Sequence, residues 1–323
     1  RNFSGHGDLI SASFGVGFDP FVGLSYNTPY VLGSNRTGFG FLFEHRTLRN
    51  LADVGTIGVV PNYNQTSFNI GVSFSQRLTV FELIGCSFDY NSVTVNERTL
   101  AAYPSSATSP DGKDRFLSAG LFYRYQQLDF ILFPMEGFFL NATVSQNGFS
   151  GASDEIGFTR GTLDVRFYKK LIGDLAVGFR NYSLVSSNRP IPNHQRLFIG
   201  FTTQIRGYTS TILNGDNIQF NSAELRYPII KLKIVRLKFI PIERLSIFHY
   251  GLFATAFLDG GTIWYNSHSP APVGRLTQFN FSDYKYGYGA GLVFVASRWT
   301  ARFDVAFNQR GTAELVFEKS VSF

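Results

Sequence analysis

Along most of this chain, oily and polar residues trade places at every second position. In residues 300–308, Ala301, Phe303, Val305 and Phe307 fall on one side and Arg302, Asp304, Ala306 and Asn308 on the other. Residues 117–126 repeat the pattern, with Leu117, Ala119, Leu121, Tyr123 and Tyr125 set against Ser118, Gly120, Phe122, Arg124 and Gln126. Successive residues of a strand face opposite sides of a sheet. The pattern therefore predicts strands with one wholly apolar surface, and the function turns on what medium that surface meets.

No stretch approaches the roughly 20 consecutive apolar residues of a membrane helix. With 35 Phe, 16 Tyr and 2 Trp, the 323-residue chain is rich in side chains that suit pleated surfaces and membrane-interface girdles alike. The lone Cys86 excludes an intramolecular disulfide; it reads as a buried small apolar residue, or else a reactive thiol. The net charge of +6 is scattered, its densest run being Lys231, Lys233, Arg236, Lys238 and Arg244. A solvated rim or contact with anionic lipid headgroups accounts for that run, and no nucleic-acid partner is expected. The chain opens at Arg1 with neither initiator Met nor leader, as a mature product or a fragment would.

Strands are predicted at residues 8–17, 21–26, 38–47, 53–60, 67–76, 79–90, 115–129, 137–146, 157–168 and 174–185, then 217–227, 247–264, 284–295, 300–308 and 313–323. One more is expected at 232–239 or 198–205. Short links alternate with longer ones at 96–114, 186–196 and 265–279, as in up-and-down transmembrane barrels. About 16 strands leave roughly 20 residues per strand and connection, enough for the ~9–11 that cross a bilayer at a tilt. A propeller would show a repeat of about 40 residues, and a sandwich of this length would need several cores. A closed barrel pairs every backbone polar group. The expectation is an all-β, single antiparallel transmembrane barrel spanning residues 1–323, without linkers. Gly287, Gly289 and Gly291 share a face within 286–294, leaving room for something packed inside or permitting sharp curvature.

Residues 197–208 read LFIGFTTQIRGY, followed by NSAELRYP at 221–228 and then Phe257-Leu258-Asp259-Gly260-Gly261. Together these resemble the BamA-type outer-membrane assembly and translocation superfamily, the bacterial surface-antigen barrels. Arg206, Gly207 and Tyr208 match its [VI]-R-G-[FY] tip, carried on an extracellular loop that folds back into the lumen. Phe257, Asp259 and Gly261 match its F-x-D-x-G wall motif. Further matches are the opening Arg1-Asn2-Phe3 with Gly5 and Gly7, residues 24–30, the P-x-x-G turn at Pro134–Gly137 and the strand at 286–294. The resemblance covers essentially the whole chain. The family's periplasmic POTRA-like domains are presumed to lie outside it.

Alternation independently turns Asp259 inward, together with Phe253, Thr255, Phe257 and Gly261. A poorly hydrated carboxylate needs a partner, and a loop guanidinium can bind it bidentately. Arg206 is expected to bond Asp259. The alternatives are a water-exposed Arg206 and an Asp259 held by another lumen base. Glu224 is a candidate for the same network, although the alternation around 217–227 slips phase. Asp111, Asp114, Asp154 and Glu155 read as solvated loop carboxylates, with loose cation binding the alternative.

The resemblance also implies a lateral seam between first and last strands, formed by Leu9, Ser11 and Ser13 against Leu315, Phe317, Lys319, Val321 and Phe323. Lys319 either weakens that seam or snorkels to the rim. No enzyme chemistry is expected: the five His are dispersed, and no Walker loop, G-x-S-x-G or H-E-x-x-H occurs. No metal and no cofactor are expected either. The implied function is insertion of other barrels into a Gram-negative outer membrane. Its partners would be the lipid bilayer, unfolded outer-membrane clients, and accessory lipoproteins and periplasmic chaperones. The alternatives are a translocator for a fused or partner exported protein, in two-partner or patatin-like secretion, and a passive diffusion porin.

Overall fold

The computed structural model describes residues 5–319 apart from 6, 18, 32, 50–63, 103, 150–155, 188, 201–202, 237–245, 270–275 and 297–298. Strands β1 (Leu9–Gly15), β2 (Phe21–Thr28), β3 (Thr37–Arg49), β4 (Asn64–Arg77) and β5 (Glu82–Val95) come first. A short helix, α1 (Glu97–Ala102), precedes β6 (Lys113–Leu128), β7 (Gly137–Asn147), β8 (Phe158–Ile172) and β9 (Leu175–Ser186). Strands β10 (Leu197–Ile199) and β11 (Leu213–Gly215) pair as a separate ribbon. The chain continues through β12 (Asn217–Arg236), β13 (Ile247–Trp264), β14 (Lys285–Ala296), β15 (Trp299–Asn308) and β16 (Ala313–Glu318).

Fourteen of these sixteen strands make one antiparallel sheet in chain order, with β9 beside β12 and with β1 and β16 at its two ends. This is the expected all-β, up-and-down barrel. The strand expected at 53–60 lies outside the described residues. Of the two candidates for a further strand, residues 232–236 are the tail of β12, and 197–199 belong to the small ribbon.

The wall is inverted relative to a soluble protein. Leu121 (61% exposed), Phe303 (58%) and Leu258 (54%) point out, whereas Asp304 (2%) and Asp259 (1%) point in. Contiguous apolar exposure on this scale fits a hydrocarbon solvent. Cys86 sits on the outward face between Ile84 and Phe88, half-exposed rather than buried, because its parity in β5 is the lipid-facing one. Long connections at 96–112, 187–216 and 265–284 leave one end of the sheet, and the two-residue turn at 173–174 closes β8 on β9 at the other. The short turn has its reason in the ladder, since antiparallel neighbours need only two residues to reverse.

Both ends of the interior are filled. From the long-loop end, residues 187–216 fold into the lumen on the β10–β11 ribbon. There Ile199 and Ile205 pack against Leu184, Ile218, Phe220 and Ile263. From the opposite end, the turn at 129–136 tucks inward, with Phe133 and Met135 against Ala176, Phe253, Val293 and Val295. Gly137 makes that entry possible. Its φ is +127°, and a Cβ there would lie 2.1 Å from the Gln127 carbonyl oxygen.

Candidate functional site

Four strands and one loop bring the lumen cluster together. Residues Ile205–Tyr208 form a tight turn closed by the Tyr208 N–H to the Ile205 carbonyl (2.9 Å). Gly207, at its third position, has φ +94°, a conformation most side chains avoid. A Cβ on it would also press to 3.0 Å from the Phe307 backbone, so the turn rests directly on β15. Opposite it, the Arg206 carbonyl lies where a Cβ of Gly287 would be. The three inward glycines of β14 thus do leave room for a packed element. Gly287 admits the loop, and a Cβ on Gly291 would meet the Asp304 carboxylate.

From that turn Arg206 reaches the wall. Its Nε donates to Asp259 Oδ2 (2.6 Å) and its Nη2 to Asp259 Oδ1 (2.7 Å), the bidentate geometry a carboxylate favours. Its Nη1 is shared between Glu224 Oε2 and Asp304 Oδ2, both at 3.1 Å. The guanidinium also stacks on the Phe257 ring at 3.5 Å. Ser222 donates to Asp259 Oδ1 (2.6 Å), completing that carboxylate's partners. The expected pairing of Arg206 with Asp259 is therefore present, and neither alternative applies.

Glu224 proves to be the hub. Alternation along β12 holds without a break from Ile218 to Tyr227, which turns Glu224 inward at 1% exposure. The phase slips lie further on, where the register with β13 shifts between Pro228 and Ile230 and again before Lys233. Glu224 accepts from Arg302 at 2.7 and 3.0 Å and from Arg226 Nε at 2.9 Å. Arg302 also reaches Asp304 at 3.2 Å. Arg226 lies between the Phe133 and Tyr168 rings and donates to the Pro134 carbonyl, so the inward turn from the short-turn end is tied to the same cluster.

Three carboxylates (Asp259, Glu224, Asp304) and three guanidiniums (Arg206, Arg226, Arg302) thus neutralise one another across β12, β13, β15 and the loop. Desolvating ions is expensive, and such a set survives only when its members are mutually paired. A second group, Asp164 with Arg166 and Arg180, sits on β8 and β9. The loop has one more anchor. The Thr209 N–H and hydroxyl donate to Glu314 Oε2 at 2.9 and 2.8 Å, and the Ser210 hydroxyl to Glu314 Oε1 at 3.3 Å. Glu314 is on β16, so the loop tip holds the terminal strand.

The long-loop end corrects another expectation. Asp114 is not a solvated loop carboxylate: it is 1% exposed, accepts from the Thr108 and Ser109 N–H groups, and lies 2.7 Å from His194 Nε2. His194 stacks on Phe116, so residues 104–109 are clasped to the lumen loop. Nearby, burial pushes the Asp216 carboxyl above its ordinary range, outweighing hydrogen bonds from Ser269 and the Asn266 N–H. Asp111 behaves as expected, capping the Lys113 N–H near the surface. Asp154 and Glu155 lie outside the described residues.

Of the seam residues, Leu9, Ser11 and Ser13 alternate along β1 with the exposed Ile10 and Phe14. Leu315 and Phe317 point out from β16 at 85% and 63% exposure, and the exposed Lys319 lies just beyond it. Val321 and Phe323 are outside the described residues. Among the described residues the two groups are not brought together: β1 pairs with β2, and β16 with β15.

Sequence reasoning missed Ser222, Arg226, Arg302, Asp304, Glu314 and Phe133. Alternation had already placed Arg302 and Asp304 on the polar side of their strand. What it lacked was the β13–β14–β15 register that carries them to Asp259.

A structure of BamA from Haemophilus ducreyi lacking POTRA domains 1–3 is similar with a TM-score of 0.68 at 14% identity, over 99% of this chain and 65% of that one. CdiB from Escherichia coli gives 0.54 at 15% identity, over 93% of this chain and 51% of that one. CdiB from Acinetobacter baumannii gives 0.54 at 14%, over 97% and 50%. The chain thus spans half to about two thirds of the chains it resembles. No curated protein matches it in sequence. The model of the Omp85 superfamily domain matches residues 2–322, and the chain belongs to that superfamily of outer-membrane β-barrel proteins.

Proposed function

We propose that this chain is an outer-membrane insertase barrel that folds other β-barrels into the Gram-negative outer membrane through a seam between β1 and β16. The observation that carries this reading is the contrast in strand length. β12 and β13 run for 20 and 18 residues, but β1 has seven and β16 six among the described residues. The described segments of β1 and β16 are shorter than the ~9–11 residues that cross a bilayer. Among the described residues the wall is thus cross-braced by ions at β12–β15 and thinner where the sheet ends. A short edge at the seam offers unpaired N–H and C=O groups to an incoming strand, and the bilayer must thin to match it. Folding of the client supplies the driving force, so neither nucleotide nor cofactor is needed. The long-loop end then faces outward and the tight turns face the periplasm.

The lumen, filled by the 187–216 loop and the 129–136 turn, weighs against a passive porin. A dedicated translocator is the second reading, supported by the likeness to the CdiB barrels over nearly the whole chain. Depletion in the source organism followed by outer-membrane proteomics separates the two. Loss of many unrelated barrels is the expected outcome, whereas loss of a single exported protein would establish translocation instead.

A further inference from the structure

The mostly apolar outward wall carries a polar patch over the long-loop half of β9 and β12. There Asn181 and Ser183 face outward from β9, in register with Asn221 and Gln219 on β12. Polar groups turned to hydrocarbon are costly unless paired, and these are joined in a ladder. Asn181 donates to Asn221 (2.7 Å), Ser183 reaches Gln219 Oε1 (2.7 Å), and Asn221 donates to the Tyr284 hydroxyl (2.6 Å). Tyr284 in turn donates to the Gly260 carbonyl (3.2 Å).

A roof of aromatics returns over this ladder from the 265–284 loop. Phe279 packs edge-on against Trp264 with centroids 5.3 Å apart, and Phe281 packs against Phe279 at 4.7 Å. The Tyr284 ring lies on Gly260, where a Cβ would be 2.5 Å from it, so this position on β13 admits the roof only as glycine. Between roof and wall runs a groove of about 740 Å³, lined by Phe179, Ala223, Leu258, Phe281, Tyr286 and Gln219. The one charged residue in its lining, Asp259, is engaged by Arg206 in the lumen.

An occupant of this groove is therefore uncharged and mostly apolar, and it arrives from the belt of exposed leucines and aromatics with which the groove is continuous. With its carbonyl oxygen taken by Ser183, Gln219 has amide N–H groups to offer a carbonyl at the polar end of such a molecule. We propose that the groove is a lipid site: it holds one acyl chain of a bilayer lipid between the aromatic roof and the β9–β12–β13 wall, with Gln219 binding the chain's ester or amide carbonyl. The proposal rests on the reading of the chain as a membrane barrel.

The two tryptophans supply the test, since Trp264 borders the roof and Trp299 sits 43% exposed on β15 at the short-turn end. Single-tryptophan proteins (Trp299→Phe and Trp264→Phe) are placed in vesicles of phosphatidylcholine with dibrominated acyl chains, which quench indole fluorescence. The brominated lipid is then exchanged by cyclodextrin for the unbrominated form. Trp299 is expected to recover at the bulk rate and Trp264 several-fold more slowly. Ala223→Phe, which fills the groove, and Phe281→Ala, at a residue 77% exposed and so dispensable for folding, should each bring Trp264 to the bulk rate. Equal recovery of both tryptophans overturns the lipid site while leaving the barrel reading intact. Failure of the bilayer to quench Trp299 at all overturns the barrel reading itself. A photocrosslinker at position 223 that captures an unfolded client segment instead of lipid overturns the choice of occupant.

Discussion

Arg206 satisfies three requirements at once: a bidentate grip on Asp259, a shared N–H for Glu224 and Asp304, and a flat face for the Phe257 ring. Lysine has a point charge and no plane, so it can meet only the first of these in part. Removing one partner from a buried ion cluster leaves uncompensated charge and typically costs about 3–5 kcal/mol. Arg206→Ala is accordingly expected to lower the temperature at which the purified barrel unfolds on semi-native gels, with Arg206→Lys intermediate. Hydrogen exchange across residues 197–215 should rise in both, and unchanged protection there would mean that the pairing does not hold the loop. At this scale the sequence was informative about direction and silent about partners. Period-two alternation turned Asp259, Arg302 and Asp304 inward, yet nothing local to 300–308 says that Arg302 will share Glu224 from 78 residues away.

Among the elements, the 187–216 loop does more than plug the lumen. Its apolar residues pack on β9, β12 and β13, its arginine joins the ion cluster, and Thr209 and Ser210 fasten β16 through Glu314. A hydrogen bond to a charged group is worth roughly 1.5–3 kcal/mol, a large share of what holds an edge strand with six described residues. Glu314→Ala should therefore speed amide exchange in 313–318 while leaving β12 and β13 unchanged. Equal exchange in mutant and wild type would show that β16 is held by its ladder with β15 alone. The inserted loop was legible in the Arg206-Gly207-Tyr208 motif and in the three inward glycines of β14. Its grip on the last strand was not, because Glu314 acquires a meaning only once the loop tip has been carried to it.

For the whole molecule, the ion-braced wall and the short terminal strands make opposite demands: one region stays fixed so that the other can part. Cysteines placed at Ser11 or Ser13 of β1 and at Val316 or Glu318 of β16, in a chain with Cys86→Ser, test this division of labour. A disulfide needs Cα atoms within about 7 Å, so its formation itself measures how closely the two edges approach. The locked protein is expected to lose insertion of client barrels into vesicles and to regain it on reduction. Full insertion by the locked form would rule out passage through the seam. Sequence alone determined that the chain is a run of strands with one greasy face, because alternation is a local property that every strand carries in its own residues. The tertiary structure decided which inward charges meet, that Glu224 is their centre, that Asp114 is buried against His194, and that an aromatic loop roofs part of the outer wall. Those outcomes depend on strand register and on where loops return, and both are fixed by contacts between residues far apart in the chain.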